Sequence, residues 1–168
     1  MSTVPRAAVI MGSDSDFPIL RKCIQVLKEF DIETEVHVIS AHRTPHEAVE
    51  FAANAEANGF GVIIAAAGKA AHLAGVLASC TVLPVIGLPI RSSTMDGLDS
   101  LLSTVQMPKG IPVATVAIDG AENASILAAQ ILSLCSEGIR GKLKEQRKQM
   151  AGQVREKDRL IQEEAGKI

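Results

Sequence analysis

The sequence predicts an α/β fold, a doubly wound parallel sheet in a three-layer αβα sandwich, extended at its C-terminal end by a helical tail. Three observations carry this reading. Short apolar runs alternate with helix-like segments through five successive strand–helix units, the pattern of parallel crossovers. The chain is 47% hydrophobic but has four Phe, no Trp and no Tyr, so its core is built from Val, Ile, Leu and Ala, as suits a sheet covered on both faces. Its 168 residues fit one domain with a sizeable core, and residues 1–168 are read as that single domain.

Taken in order, Ala7 to Met11 is an unbroken apolar run ending at Gly12, a buried central strand. In Gly12-Ser13-Asp14-Ser15-Asp16 the glycine allows a tight turn, and the hydroxyls and carboxylates suit the start of a helix. That helix, about Pro18 to Phe30, sets Ile19, Leu20, Cys23, Ile24, Leu27 and Phe30 on one side. Ile32 to Ile39 alternates as a second strand. It opens into Ser40-Ala41-His42-Arg43-Thr44-Pro45, with the proline in the first turn of the next helix. This helix, His46 to Asn58, offers Val49, Ala52, Ala53 and Ala57 as a small-residue face and ends at Asn58-Gly59.

Phe60 to Ala67 is the third strand, followed by a histidine-bearing loop, Gly68 to Gly75, and a short helix to Cys80. Leu83 to Leu88 is the fourth strand, with Pro84 near its start. After the loop Pro89 to Met95, a helix from Asp96 to Gln106 places Leu98, Leu101, Leu102 and Val105 on one face. Val113 to Ile118 is the fifth strand, and a helix from Ala121 to Cys135 follows. The tail, about 136–168, is highly charged and has few residues to bury: Ile139, Leu143, Met150, Val154, Leu160 and Ile161. It reads either as a solvated helix or as one that leans on a neighbouring subunit, and we favour the second.

A net charge of −2 gives no electrostatic pull toward nucleic acid or a membrane surface, and the lack of aromatics argues against base-stacking platforms. Cys23, Cys80 and Cys135 are odd in number and far apart, with no CxxC spacing. They read as reduced residues on the buried sides of helices in a cytoplasmic protein. The N-terminal segment has no signal-peptide pattern, and no run of about 18 apolar residues suggests a membrane span.

If the strand order is flavodoxin-like, 2-1-3-4-5, the loops after the first three strands meet at the switch point, where open α/β sheets bind ligands. Ser13, Ser15 and Asp16, then Ser40, His42 and Arg43, then Gly68 and His72, share one crevice on that reading. Each has a plainer role as well. The serines and Asp16 serve equally as helix caps, His72 as a core histidine, and Arg91 with Ser92-Ser93-Thr94 as a surface loop. Hydroxyls at a helix start beside an arginine favour an anion such as phosphate, and Asp16 suits ribose hydroxyls. The first loop has neither GxGxxG nor GxxxxGK[ST], which counts against NAD and ATP. A phosphorylated sugar or mononucleotide remains, with proton transfer by a histidine as the simplest chemistry.

Met11-Gly12-Ser13-Asp14-Ser15-Asp16, Ser40-Ala41-His42-Arg43-Thr44-Pro45, Ala70-Ala71-His72-Leu73, Pro84 to Pro89 and Val105 to Ala114 closely resemble the PurE family, the N5-carboxyaminoimidazole ribonucleotide mutases of purine (IMP) biosynthesis. The resemblance runs from about Ala7 to Leu134. It implies an isomerase, assembled as a homo-octamer, that acts on a small imidazole ribonucleotide with no metal or organic cofactor. The reaction moves a carboxylate from the exocyclic nitrogen to ring carbon 4, by decarboxylation and recarboxylation. His42 matches the proton-transfer histidine, and His72 joins it as a catalytic residue. Gly12, Ser13, Ser15, Asp16, Ser40 and Arg43 fall at nucleotide-binding positions, and Gly68, Ala70 and Leu73, with His72, on the loop that encloses carbon dioxide. Lys69 and Ala74 depart from the glycine and proline that many members carry, and Lys69 is expected to point outward.

The runner-up is a direct carboxylase of aminoimidazole ribonucleotide, whose members differ in the loop that here reads Ala70-Ala71-His72-Leu73. A receiver-like, non-catalytic module ranks low, because the third strand ends in Ala66-Ala67-Gly68 rather than in a phosphorylatable aspartate.

Overall fold

The computed structural model describes residues 5–168. Five strands, β1 (Arg6–Met11), β2 (Glu33–Val38), β3 (Val62–Gly68), β4 (Val85–Ile90) and β5 (Ala114–Thr115), form one sheet in the order β2-β1-β3-β4-β5. Every pairing is parallel. Six helices connect and extend them: α1 (Phe17–Glu29), α2 (Pro45–Asn54), α3 (Leu73–Ser79), α4 (Leu98–Val105), α5 (Ala121–Leu132) and α6 (Glu137–Ala165).

The period of two along β1 builds both cores. Ala7, Val9 and Met11 face one layer with Leu20, Cys23 and Leu27 of α1 and Ala124 and Ala128 of α5. Ala8 and Ile10 face the other with Ala48 and Ala52 of α2 and Leu73, Ala74 and Leu77 of α3. Small residues let the helices sit close to the sheet, which accounts for a core with almost no aromatic volume.

Several elements depart from their expected form. The buried face of α2 is Ala48 and Ala52, with Ala55 buried just past its end, while Val49 is 46% exposed. The fourth strand is shifted toward its C-terminal end, leaving Pro84 outside and Pro89 inside. The Pro89 carbonyl accepts from Asp119 N–H, so its missing donor lies on the β5 side, beyond a ladder that ends at Thr115. That brevity also shortens the expected fifth strand. Cys23 is buried as expected, but Cys80 caps α3 half-buried and Cys135 is exposed between α5 and α6.

The largest departure is α4. Its leucine face does not line the core: Leu98 and Leu102 are 44% and 46% exposed, whereas Ser100 and Thr104 are buried. The cause is Gly87 on β4, where a Cβ would lie 2.3 Å from Thr104 Cγ2. With no side chain beneath it, α4 approaches the sheet along its small polar edge. Ser100 Oγ reaches the carbonyls of Ile90 and Gly97, and Thr104 Oγ1 that of Ser100.

The tail is one continuous helix of 29 residues, roughly 43 Å long. Ile139 is buried and Leu143 packs against the core; Arg140 reaches the carbonyl of Ser133, and Lys142 pairs with Asp31. From Arg147 onward every residue is exposed, Met150, Val154, Leu160 and Ile161 included.

Candidate functional site

All the strands point the same way, so the segments that follow them gather at one edge of the sheet. A cleft of about 600 Å³ opens there, large enough for a mononucleotide. Gly12, Ser13, Ser15 and Asp16 line it from the end of β1, and Ser40, Ala41, His42 and Arg43 from the end of β2. Ala67, Gly68, Lys69, Ala70 and Leu73 come from β3, and Ile90, Arg91, Ser92 and Ser93 from β4.

The first turn is organised around Ser13. Its Oγ accepts from the Ser15 backbone N–H at 3.3 Å and from Ser15 Oγ at 2.9 Å, and a single 3-10 turn, Asp14–Asp16, leads directly into α1. The start of α1 has no side-chain cap; the Phe17 N–H bonds the Asp14 carbonyl, and Pro18 has no N–H to leave unpaired. Asp16 is buried there. Burial, more than the nearby Asp14, pushes its carboxyl above the ordinary range, against the bonds from Ser15 Oγ and the Ser13 region that favour the ion.

The second segment closes on itself. Ser40 N–H donates to Thr44 Oγ1, Thr44 N–H to the Ser40 carbonyl, and Arg43 N–H to Ser40 Oγ. Pro45 then starts α2 with no donor to leave unpaired. This brace, with two hydroxyls turned inward, projects His42 and Arg43 into the cleft. Arg43 Nη2 donates to the Gly12 carbonyl at 2.9 Å, which holds the guanidinium against the serine turn. Ser40 thus lines the cleft as the residue that shapes the loop.

His42 Nε2 lies 2.9 Å from His72 Nδ1, with the rings nearly perpendicular. His72 is exposed at the start of α3 rather than buried in the core, so its reading as a core histidine does not hold. It stands behind His42 while Ala67, Ala70 and Leu73 supply the apolar wall. The arrangement sets an imidazole, a group able to carry a proton near neutral pH, beside a serine turn and a wall of small apolar residues.

The sequence-predicted residues converge, with His72 joined through His42. One assignment is extended and one is corrected. Lys69, expected to point outward, is exposed but belongs to the cleft wall, with a left-handed backbone at φ 56°. Arg91 and Ser92-Ser93 are part of the cleft wall, not a detached surface loop. The signal for the latter was present in the predicted strand order, which sets the β4 segment beside that of β3. Arg91 is fastened by Asp119, whose carboxylate accepts from its backbone N–H and its Nε, and by Asp96; these bonds hold its guanidinium pKa above the ordinary value. Among the described residues no three His, Cys, Asp or Glu side chains gather as metal ligands would.

Residues 6–153 match the family model described as AIR carboxylase. An N5-carboxyaminoimidazole ribonucleotide mutase of Pyrococcus horikoshii is 54% identical over 96% of this chain and 92% of its own length. The enzyme of the same name from Thermotoga maritima is 52% identical over 95% and 94%. Among solved structures, PurE of Treponema denticola superposes with a TM-score of 0.85 at 31% identity, covering 92% of this chain and 96% of that one.

Proposed function

The chain belongs to the AIR carboxylase family, and we infer that it acts as an N5-carboxyaminoimidazole ribonucleotide mutase, an isomerase of purine biosynthesis. The reading is supported over 95–96% of the chain by relatives of that name at 52–54% identity. The geometric observation that carries it is the His42–His72 pair, set in a cleft that offers an anion site, a buried carboxylate and an apolar wall.

In this reading the phosphate sits at the start of α1 with Ser13, Ser15 and Arg43, and the ribose hydroxyls meet Asp16. The imidazole ring lies toward His42. Loss of the carboxylate from the exocyclic nitrogen returns the bonding pair to that nitrogen, which takes up a proton and leaves aminoimidazole ribonucleotide and carbon dioxide. Carbon 4 then attacks the carbon dioxide, and the proton displaced from carbon 4 must be removed. One proton is consumed and one released, so a single ring, His42, can supply the first and recover the second. Gly68, Ala70 and Leu73 enclose the carbon dioxide, so the recombination is intramolecular in effect. No metal or organic cofactor is called for.

The same proposal includes a homo-oligomer, an octamer, located in the cytoplasm. The outward leucines of α4 and the exposed apolar residues of α6 support an assembly, because helices in proteins draw most of their stability from packing an apolar face. Among the described residues no helix is long and apolar enough to cross a membrane.

The test is steady-state formation of 4-carboxy-5-aminoimidazole ribonucleotide from the carbamate substrate and, separately, from aminoimidazole ribonucleotide with bicarbonate. The mutase turns over the carbamate faster at physiological concentrations. Faster turnover of the second pair would make the enzyme a direct carboxylase.

A further inference from the structure

Three cationic side chains line the cleft, and two of them are tied down. Arg43 is held by the Gly12 carbonyl and Ser40 Oγ, at the serine turn. Arg91 is fastened between Asp96 and Asp119. Among the described residues the ammonium of Lys69 has neither an ion pair nor a hydrogen bond, and Lys69 is an exposed residue of the wall of the same cleft. Its backbone also lies in the left-handed region, at φ 56°, where a glycine is at ease and a long side chain is not. A strained backbone at a site wall directs attention to what the side chain does there.

We propose that Lys69 is a specificity-determining residue whose ammonium binds the carboxylate carried by the nucleotide, and so distinguishes carboxylated from decarboxylated imidazole ribonucleotides. The proposal rests on the mutase reading. Lys69 stands on the same short segment as His72, which holds His42, and Ala70 beside it forms the apolar wall. The carboxylate is bonded to carbon 4 or to the neighbouring exocyclic nitrogen, and His42 must reach carbon 4. The carboxylate therefore lies on the β3 side of the cleft, away from the serine turn that takes the phosphate. On that side Lys69 is the cation with no competing partner. A flexible ammonium can follow the carboxylate between its two attachment points, whereas a braced guanidinium cannot. Neutral carbon dioxide and decarboxylated nucleotide make no such contact.

Calorimetric titration of the intact assembly with 4-carboxy-5-aminoimidazole ribonucleotide and with aminoimidazole ribonucleotide separates the outcomes. Lys69→Met and Lys69→Gly both remove the ammonium, and the second also relaxes the backbone. The proposal requires each variant to lose roughly tenfold in affinity for the carboxylated nucleotide, the scale of one charge-assisted contact, with the other ligand unchanged. Lys69→Arg should retain most of the discrimination. Equal losses for both ligands would place the ammonium on the phosphate or ribose and overturn the proposal, as would no loss at all. Wild-type protein that binds neither nucleotide would overturn the mutase reading itself.

Discussion

His42 Nε2 and His72 Nδ1 face each other at 2.9 Å, so one ring donates and the other accepts, and the state of one fixes the state of the other. His72 thereby orients a ring that stands on a different segment and follows a different strand. In the mechanism above its part is to hold His42 and set which nitrogen carries the proton. His72→Ala should lower kcat by roughly tenfold to a hundredfold, less than the 10²–10⁴ that a general acid–base supplies, with KM little changed. The pH–rate profile should also shift, a readout that a merely structural role would leave in place. An unaltered profile with unaltered kcat would remove His72 from the mechanism.

Arg43 reaches the serine turn through the Gly12 carbonyl, at the end of the cleft assigned to phosphate. Arg43→Ala should weaken nucleotide binding by roughly 2–5 kcal/mol, as for loss of a desolvated charged contact. Titration with the nucleotide measures it, and an unchanged dissociation constant would show that the guanidinium is not a ligand.

Asp16 carries a cost that ligand binding can justify. Its folded-state pKa is raised, mainly by burial, so the folded protein holds a proton at pH values where the unfolded chain has lost it. Ionised Asp16 therefore opposes folding at neutral pH, and that penalty disappears as the pH falls through its raised value toward the ordinary 3.8. Asp16→Asn should raise stability at pH 7 by up to about 1 kcal/mol and lose most of that gain in acid. The same variant should bind the nucleotide about tenfold or more weakly, through the ribose contact. Thermal melts at several pH values and a binding titration check the two halves separately.

Gly87 tests the account of α4. Alanine there would press on Thr104 and on Val113 Cγ1, at 2.8 Å, and should cost about 1–3 kcal/mol by overpacking. Gly87→Ala together with Thr104→Ser, which removes the nearer obstructing methyl, should recover part of the loss in denaturant melts. A single variant as stable as wild type would mean that α4 does not depend on this close approach.

These particulars show what could be read from the chain beforehand. The apolar runs of β1 and β3, and the alternation of strands and helices, specify a parallel sheet, because few other folds bury such segments on both faces. Once the strand order is granted, His42, Arg43, the serine turn and the β3 loop must meet, and they do. The face of α4 is not legible because hydropathy records which residues avoid water and not which partner covers them: Leu98 and Leu102 face out, Thr104 faces Gly87 on β4, and Ser100 bonds the Ile90 carbonyl. The place of Lys69 in the cleft wall is hidden for a related reason. A charge beside small residues suggests solvent, and Lys69 is indeed exposed, but the turn after β3, left-handed at that residue, is part of the cleft wall.

The most direct measurement concerns His42 itself. His42→Asn preserves the size and polarity of the ring's attachment to its loop but cannot carry the proton. The variant should fold, bind the nucleotide with near wild-type affinity and lose turnover of the carbamate substrate by at least roughly 10²-fold. Turnover at the wild-type rate in a folded, nucleotide-binding variant would contradict the role given to His42 and the mechanism built on it.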